Sequence, residues 1–244
     1  MDILVDVRHR EWPLPDAHWI LKQTWNDLLF AHWPVARDEL RAAVPPFFEL
    51  DLFADEAWLS VTPFNVTDFS PRGVPPLPVI SAFSEINVRT YVVYDGIPGV
   101  YFFSLDANSA MAVAGASTLF HLPYHLADIH AERRSMLKFC SRRRPGKAVE
   151  FDVQYSPAGP SFQPKAGSLD YFLTERYCLY TQDSSANAYR VEIHHAPWEL
   201  QRAEAQIFRN TMVEGAGLRL PSRSPLVHYA RSQDVLIWYP HRVG

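Results

Sequence analysis

The chain has 244 residues but only two cysteines, Cys140 and Cys178, each inside an apolar alternating segment. Two such thiols make neither a disulfide framework nor a metal motif, so buried reduced cysteines are expected. Long apolar runs are also missing. No stretch approaches the ~18–20 continuous apolar residues of a membrane helix. The N-terminus, with Asp2, Asp6 and Arg8, lacks the apolar core of a secretory signal. These absences point to a cytoplasmic protein that does not engage the membrane. Basic charge is not in excess either: the net charge is -4, so no face is forced to attract nucleic acid. The one basic cluster, Arg142-Arg143-Arg144 before Pro145-Gly146-Lys147, reads as a solvated hairpin tip. Phosphate-binding loops, dinucleotide fingerprints, the Gly-x-Ser-x-Gly elbow and catalytic-cysteine signatures are absent, and no cofactor is expected.

What is present is an ordinary globular balance, with 48 % hydrophobic and 20 % charged residues. The length allows a sizeable core. No composition shift marks a linker, so residues 1–244 read as one domain. Twenty prolines spread along the chain argue for many short strands over long helices. Helical spacing is expected in His18–Ala31, stopped by Pro34, in Arg37–Ala43, and in the Ala- and Ser-rich Asn108–Phe120. Strands are expected at Phe48–Phe53, Ala57–Phe64, Phe83–Tyr94, Val100–Leu105 and Met136–Arg142. Ala148–Tyr155 alternates most cleanly. A helical turn from Ser168 leads into a strand ending at Tyr180, which returns through Tyr189–His195. Leu226–Ala230 and Val235–Tyr239 flank Arg231-Ser232-Gln233-Asp234 as a last hairpin. The pattern is α+β, dominated by a mainly antiparallel curved sheet or barrel.

One strand carries an unusual face. In Phe83–Tyr91, period-two alternation puts Glu85, Asn87, Arg89 and Tyr91 on one side, with Ile86, Val88 and Thr90 on the other. An acid, an amide, a guanidinium and a phenol in one row mean either a solvated sheet face or the wall of a polar pocket. Arg89 suits bidentate capture of a carboxylate. The histidines are less telling. His121 and His125 have the spacing of a helical zinc pair, but Pro123 lies between them. No third ligand follows at a recognisable distance, so no metal is expected. His194 and His195 are adjacent, so at most one of them enters any given cavity.

Six ordered blocks carry a resemblance. They are Leu-Phe-Ala-His-Trp-Pro-Val (29–35), Phe-Ser-Glu-Ile-Asn-Val-Arg-Thr-Tyr-Val (83–92), Gly-Val-Tyr-Phe-Phe-Ser-Leu-Asp-Ala (99–107), Leu-Pro-Tyr-His (122–125), Leu-Thr-Glu-Arg-Tyr-Cys-Leu-Tyr (173–180) and Ile-His-His-Ala-Pro-Trp-Glu-Leu (193–200). Together they resemble the YqjF-like family of uncharacterised bacterial proteins, itself distantly similar to the acetoacetate decarboxylase superfamily. The resemblance implies a conical β-barrel with an internal cavity and helices packed outside, and it makes a homodimer plausible. In the decarboxylase, a lysine of a Phe-Pro-Lys-Lys motif forms a Schiff base beside a glutamate. Glu85 matches the glutamate, but Leu122-Pro123-Tyr124-His125 stands where the lysine motif would be. Neither a phenol nor an imidazole can form an iminium. The four lysines, Lys22, Lys138, Lys147 and Lys165, lie in no lysine-pair setting. Schiff-base decarboxylation is therefore not expected.

Three functions stay open. One is a binding protein for a small molecule, a carboxylate among the candidates, with Asn87, Arg89 and Tyr91 as contacts. A second is a lyase- or hydrolase-type enzyme using Glu85, Tyr124 and His125 for proton transfer. The third is a non-catalytic interaction protein with a filled barrel.

Overall fold

Strand pairing organises the chain in a computed structural model, which describes residues 3–76, 81–144 and 149–244. In chain order the elements are β1 (Leu21–Val35), α1 (Arg37–Ala43), β2 (Glu49–Leu50), β3 (Ala57–Pro71), β4 (Phe83–Tyr94), β5 (Ile97–Ala107) and α2 (Ala110–Phe120). Then come β6 (Tyr124–Arg133), β7 (Leu137–Arg143), β8 (Glu150–Phe162), α3 (Leu169–Thr174), β9 (Cys178–Gln182) and β10 (Ala188–His194). The chain ends with β11 (Leu200–Asn210), α4 (Met212–Gly215), β12 (Leu226–Ile237) and β13 (His241–Val243).

The sheet closes on itself and forks. Strands β12, β1, β3, β4 and β5 run side by side as one wall. At one end of the wall, β9 pairs with Val100 and Tyr101 of β5, and β10 pairs with Leu236 and Ile237 of β12. This closes a ring through β9 and β10. At the other end, β6 pairs with Leu105–Ala107 of β5 and β11 with residues 228–230 of β12, closing a second ring through β6, β7, β8 and β11. The two joints onto β5 are parallel; the other pairings among the described residues are antiparallel. The expected curved barrel is the architecture seen.

The wall is buried on both faces. Ile86 and Val88 of β4 join Leu59, Val61, Leu29 and Ala31 in a solid core with Phe139, Phe151 and Val153, capped by Met212 and Val213 of α4. The alternate residues of the same strands face the other ring. Between β4 and β5, Asp95 (φ 51°) and Gly96 (φ 73°) form the two-residue turn with both φ values positive that matches strand twist. Gly99 holds a close approach: a Cβ there would lie 2.7 Å from Cys178 Sγ and 2.9 Å from the Cys178 carbonyl oxygen. Gly99→Ala should lower stability by about 1–3 kcal/mol in denaturant unfolding, by forcing β9 away from β5.

Three sequence expectations are corrected. His18–Ala31 is no helix; its residues from Leu21 onward belong to β1. Asp27 adopts φ 54°, and β1 changes register against β3 between Asn26 and Ala31. Leu21, Gln23 and Trp25 therefore share a cavity with Leu28 and Phe30. A strand that swaps faces once places apolar residues at 21, 25, 28 and 29, which imitates helical spacing. The left-handed residue is held in place: its carbonyl accepts from Tyr155 Oη (2.6 Å), and its carboxylate accepts from Tyr229 Oη (2.8 Å) and pairs with Arg133. Second, the C-terminal hairpin is a single strand, β12. Its polar middle is satisfied across the pairing, Ser232 donating to Asn26 (2.9 Å) and Asp234 accepting from Thr24 (2.7 Å). Third, β6 and β11 are strands the sequence reading did not mark. The β7 and β8 strands do pair as expected, while the proposed tip Pro145-Gly146-Lys147 lies outside the described residues.

Candidate functional site

The ring through β9 and β10 encloses a cavity of about 270 Å³. All seven of its strands contribute lining residues, and one side of α2, including Ala112, Ala116 and Phe120, completes the lining. That helix is capped by Ser109, whose side chain accepts from the Ala112 amide (3.3 Å), and it ends at His121 in the left-handed conformation (φ 53°). Only Phe120 of α2 is buried, so the helix is a light cover. Most of the lining is apolar and aromatic, including Trp25, Phe30, Phe64, Phe83 and Phe102. A few polar side chains enter from β1, β3, β4 and β6: Gln23, Thr62, Glu85, Asn87, Arg89 and Tyr124. This is the composition of a small-molecule pocket.

The β4 face is thus buried, not solvated. Glu85 is 5 % exposed and accepts a hydrogen bond from Tyr124 Oη at 2.7 Å. Burial pushes its carboxyl up to about 7, against the opposing bonds from Tyr124 and Asn87. Burial and the neighbouring Glu85 raise the Tyr124 phenol well above its ordinary range, so it stays a donor. Four residues along, roughly 13 Å at strand spacing, Arg89 stacks over the Phe30 ring with Cζ 5.3 Å from the centroid. No carboxylate pairs with Arg89 among the described residues, and its Nε and Nη2 have no hydrogen-bond acceptor. Burial lowers the guanidinium's pKa and Tyr91 opposes the shift, but an arginine keeps its charge. Burying a cation without a counter-charge costs several kcal/mol.

Tyr91 lies beyond the cavity. It is fully buried, and its phenol donates to the Leu173 carbonyl of α3 (3.0 Å) and meets Ser60 Oγ (2.6 Å). Ser60 in turn bonds His32 Nδ1 at 2.5 Å. Burial, then His228 and Arg89, lower the His32 pKa well below 6.5, so the ring is neutral. Tyr91 therefore anchors the arginine end of the pocket to α3, which Asp170 ties to His228 (2.9 Å) and Arg202. Its expected place in the ligand's contact row is not where the structure puts it.

Tyr124 and His125 separate. As neighbours in β6 they face opposite ways, and only Tyr124 reaches the cavity. His125 sits opposite Asp106 of β5, beside the Arg143–Asp106 ion pair (2.8 Å). Burial, then Arg143, lower its pKa, with Asp106 opposing. Glu85, Asn87, Arg89 and Tyr124 are thus brought together, and His125 is not. Sequence reasoning overlooked Thr62, which stands directly opposite Asn87 in the β3–β4 register. Pairing the two strands it had already identified was the available signal. Lys22, Lys138 and Lys165 are absent from the cavity lining, and Lys147 lies outside the described residues. Among the described residues no cluster of His, Cys, Asp or Glu could hold a metal ion. A larger open trough of about 730 Å³ lies between β6, β8 and β11, but its arginines are matched by Asp128 and Glu150.

A closed, forked sheet around a covered pocket defines the acetoacetate decarboxylase-like fold. Acetoacetate decarboxylase from Legionella pneumophila superposes with a TM-score of 0.64 at 13% identity, over 96% of this chain and 93% of that one. The enduracididine biosynthesis enzyme MppR, complexed with pyruvate, gives 0.64 at 12% identity, over 97% and 93%. Within that fold, the chain belongs to the DUF2071 family of uncharacterized conserved proteins, whose model matches residues 22–234. It is 49% identical over 226 residues to the uncharacterized protein YqjF of Bacillus subtilis (strain 168), covering 92% of this chain and 93% of that protein. No helix among the described residues is long and apolar enough to cross a membrane.

Proposed function

We propose that this protein binds a small carboxylic acid in the enclosed cavity, with Arg89 taking the carboxylate. The observation that carries the reading is the buried guanidinium of Arg89, which has no carboxylate partner among the described residues and two nitrogens without an acceptor. A ligand carboxylate supplies the missing counter-charge and acceptors, while the aromatic lining receives the body of the molecule. A protein of the same fold, MppR, has been solved in complex with pyruvate, a small acid, which supports this ligand class. Glu85 and Tyr124 form the second polar group, at the far end of the β4 row. A Schiff-base route has no lysine among the lining residues to run on. The unpaired cysteines, Cys178 buried, suit a reducing cytoplasmic setting.

A panel of short carboxylic acids and their neutral amides tests this by ligand-induced thermal shift. Acids should raise Tm of the wild type, amides should not, and Arg89→Ala should fold but lose the response. Equal shifts from acids and amides, or none from any acid, would remove Arg89 as an anion site.

One observation favours turnover as a second reading: Glu85, raised to about 7 and bonded to Tyr124, is poised for proton transfer near neutral pH. Deuterium exchange into a bound acid, present in the wild type and lost in Glu85→Gln, separates catalysis from binding.

A further inference from the structure

Midway between Glu85 and Arg89 the cavity holds a second unmet demand. Thr62 and Asn87 are directly opposed across β3 and β4, and both line the cavity. Thr62 is 1 % and Asn87 3 % exposed. Among the described residues, Thr62 Oγ1 and Asn87 Oδ1 are each buried with no hydrogen-bond partner in the protein. Buried polar atoms are nearly always paired, so two orphans side by side in a binding cavity call for an explanation. They do not satisfy each other, although they are neighbours.

Their chemistry differs and is complementary. A threonine hydroxyl has one proton to give and lone pairs to receive, whereas an amide oxygen only accepts. A ligand carbonyl between them would take the Thr62 proton but leave Asn87 Oδ1 facing another acceptor. An alkyl group would leave both unpaired. A hydroxyl meets both at once, accepting from Thr62 Oγ1 and donating to Asn87 Oδ1. An ammonium could donate to both, but it would bring a second cation into an apolar enclosure that already holds Arg89.

From this pairing we infer that the ligand is a short hydroxy acid, with its carboxylate on Arg89 and its hydroxyl seated between Thr62 and Asn87. The inference rests on the carboxylate reading above and adds the second functional group. The volume of about 270 Å³ lies below the usual ~300–1,000 Å³ of drug-sized sites, which limits the ligand to a short apolar chain. The remaining carbons lie against the aromatic lining, which has Phe64 opposite Glu85 and Phe102 opposite Arg89 in the strand registers.

Isothermal titration of the full chain with matched five-carbon acids tests the assignment. The probes are the positional isomers of hydroxypentanoate and oxopentanoate, plain pentanoate and an aminopentanoate. At least one hydroxy isomer should bind tenfold or more tighter than the oxo and unsubstituted acids. That advantage should fall to within about twofold in Asn87→Leu and in Thr62→Val, with pentanoate affinity retained. Thr62→Val is near-isosteric and keeps the test available if Asn87→Leu fails to fold. An oxo or amino acid that matches or exceeds every hydroxy isomer overturns the hydroxy acid assignment while leaving Arg89 as the anion site. If no acid binds at all, the carboxylate reading fails first, and the two failures are told apart.

Discussion

Arg89→Met should make the empty protein more stable, by roughly 2–4 kcal/mol, while abolishing its response to carboxylic acids. The sign is the unusual part, because most substitutions of buried residues destabilise. Arg89 lies within the cavity wall with two guanidinium nitrogens unpartnered and no carboxylate in ion-pair range among the described residues. Its compensation is limited to the face of Phe30 and the phenol of Tyr91. Methionine keeps the unbranched stem that packs on Phe30 and removes the charge. For a chain of this length, the gain corresponds to a Tm higher by about 5–15 °C, read in a thermal melt without ligand. A saturating acid should then close the gap by raising the wild type alone. If Arg89→Met melts lower than the wild type, the guanidinium is holding the wall together and the unpaired-charge reading is wrong.

The second large effect belongs to Glu85 and is read through pH. Its carboxyl is raised from 4.5 to about 7 in the folded protein. Between those values the native state binds a proton that the unfolded chain has released. Stability from this group is therefore complete below about pH 4.5 and is lost as pH rises through about 7. The size is ~3 kcal/mol over that window. Glu85→Gln keeps an acceptor for Tyr124 and never ionises. Urea unfolding should find the two proteins nearly equal at pH 4.5, with the variant ahead by ~3 kcal/mol at pH 8. Burial also raises Glu175, but that group is common to both proteins and cancels in the difference. A gap that does not change with pH would show Glu85 ionised throughout and would take away its fitness for proton transfer.

The polar row of β4 was legible because alternation survives in that strand: the register shift against β5 between Val88 and Arg89 inserts its extra residue on the β5 side. What the sequence could not convey is how far along the row the cavity extends, so Tyr91 looked equivalent to Glu85. Helices α1 and α2 were legible through their composition and flanking prolines. β1 was not, because a single left-handed aspartate turns alternation into apparent helical spacing. β11 failed for a related reason. Its run Ala203-Glu204-Ala205-Gln206 has helix-forming residues, yet pairing with β8 and β12 overrides local preference. Nothing in the sequence after Pro123 marks a strand, so Tyr124 and His125 look like one unit; as neighbours in β6 they must diverge. The fork of the sheet has no local signature at all, since it depends on which halves of β5 and β12 accept which partners.

The shared wall gives substitutions in a single strand two separate currencies. In β4 the odd-numbered residues from 85 to 89 line the cavity, and Ile86 and Val88 belong to the solid core. Mutation can therefore revise the cavity's chemistry at one parity while the other parity keeps the protein folded. Such a strand can acquire a different polar row and remain the same scaffold. A slip of one residue in its pairing would do the reverse, driving Glu85 and Arg89 into the core and emptying the pocket of its chemistry.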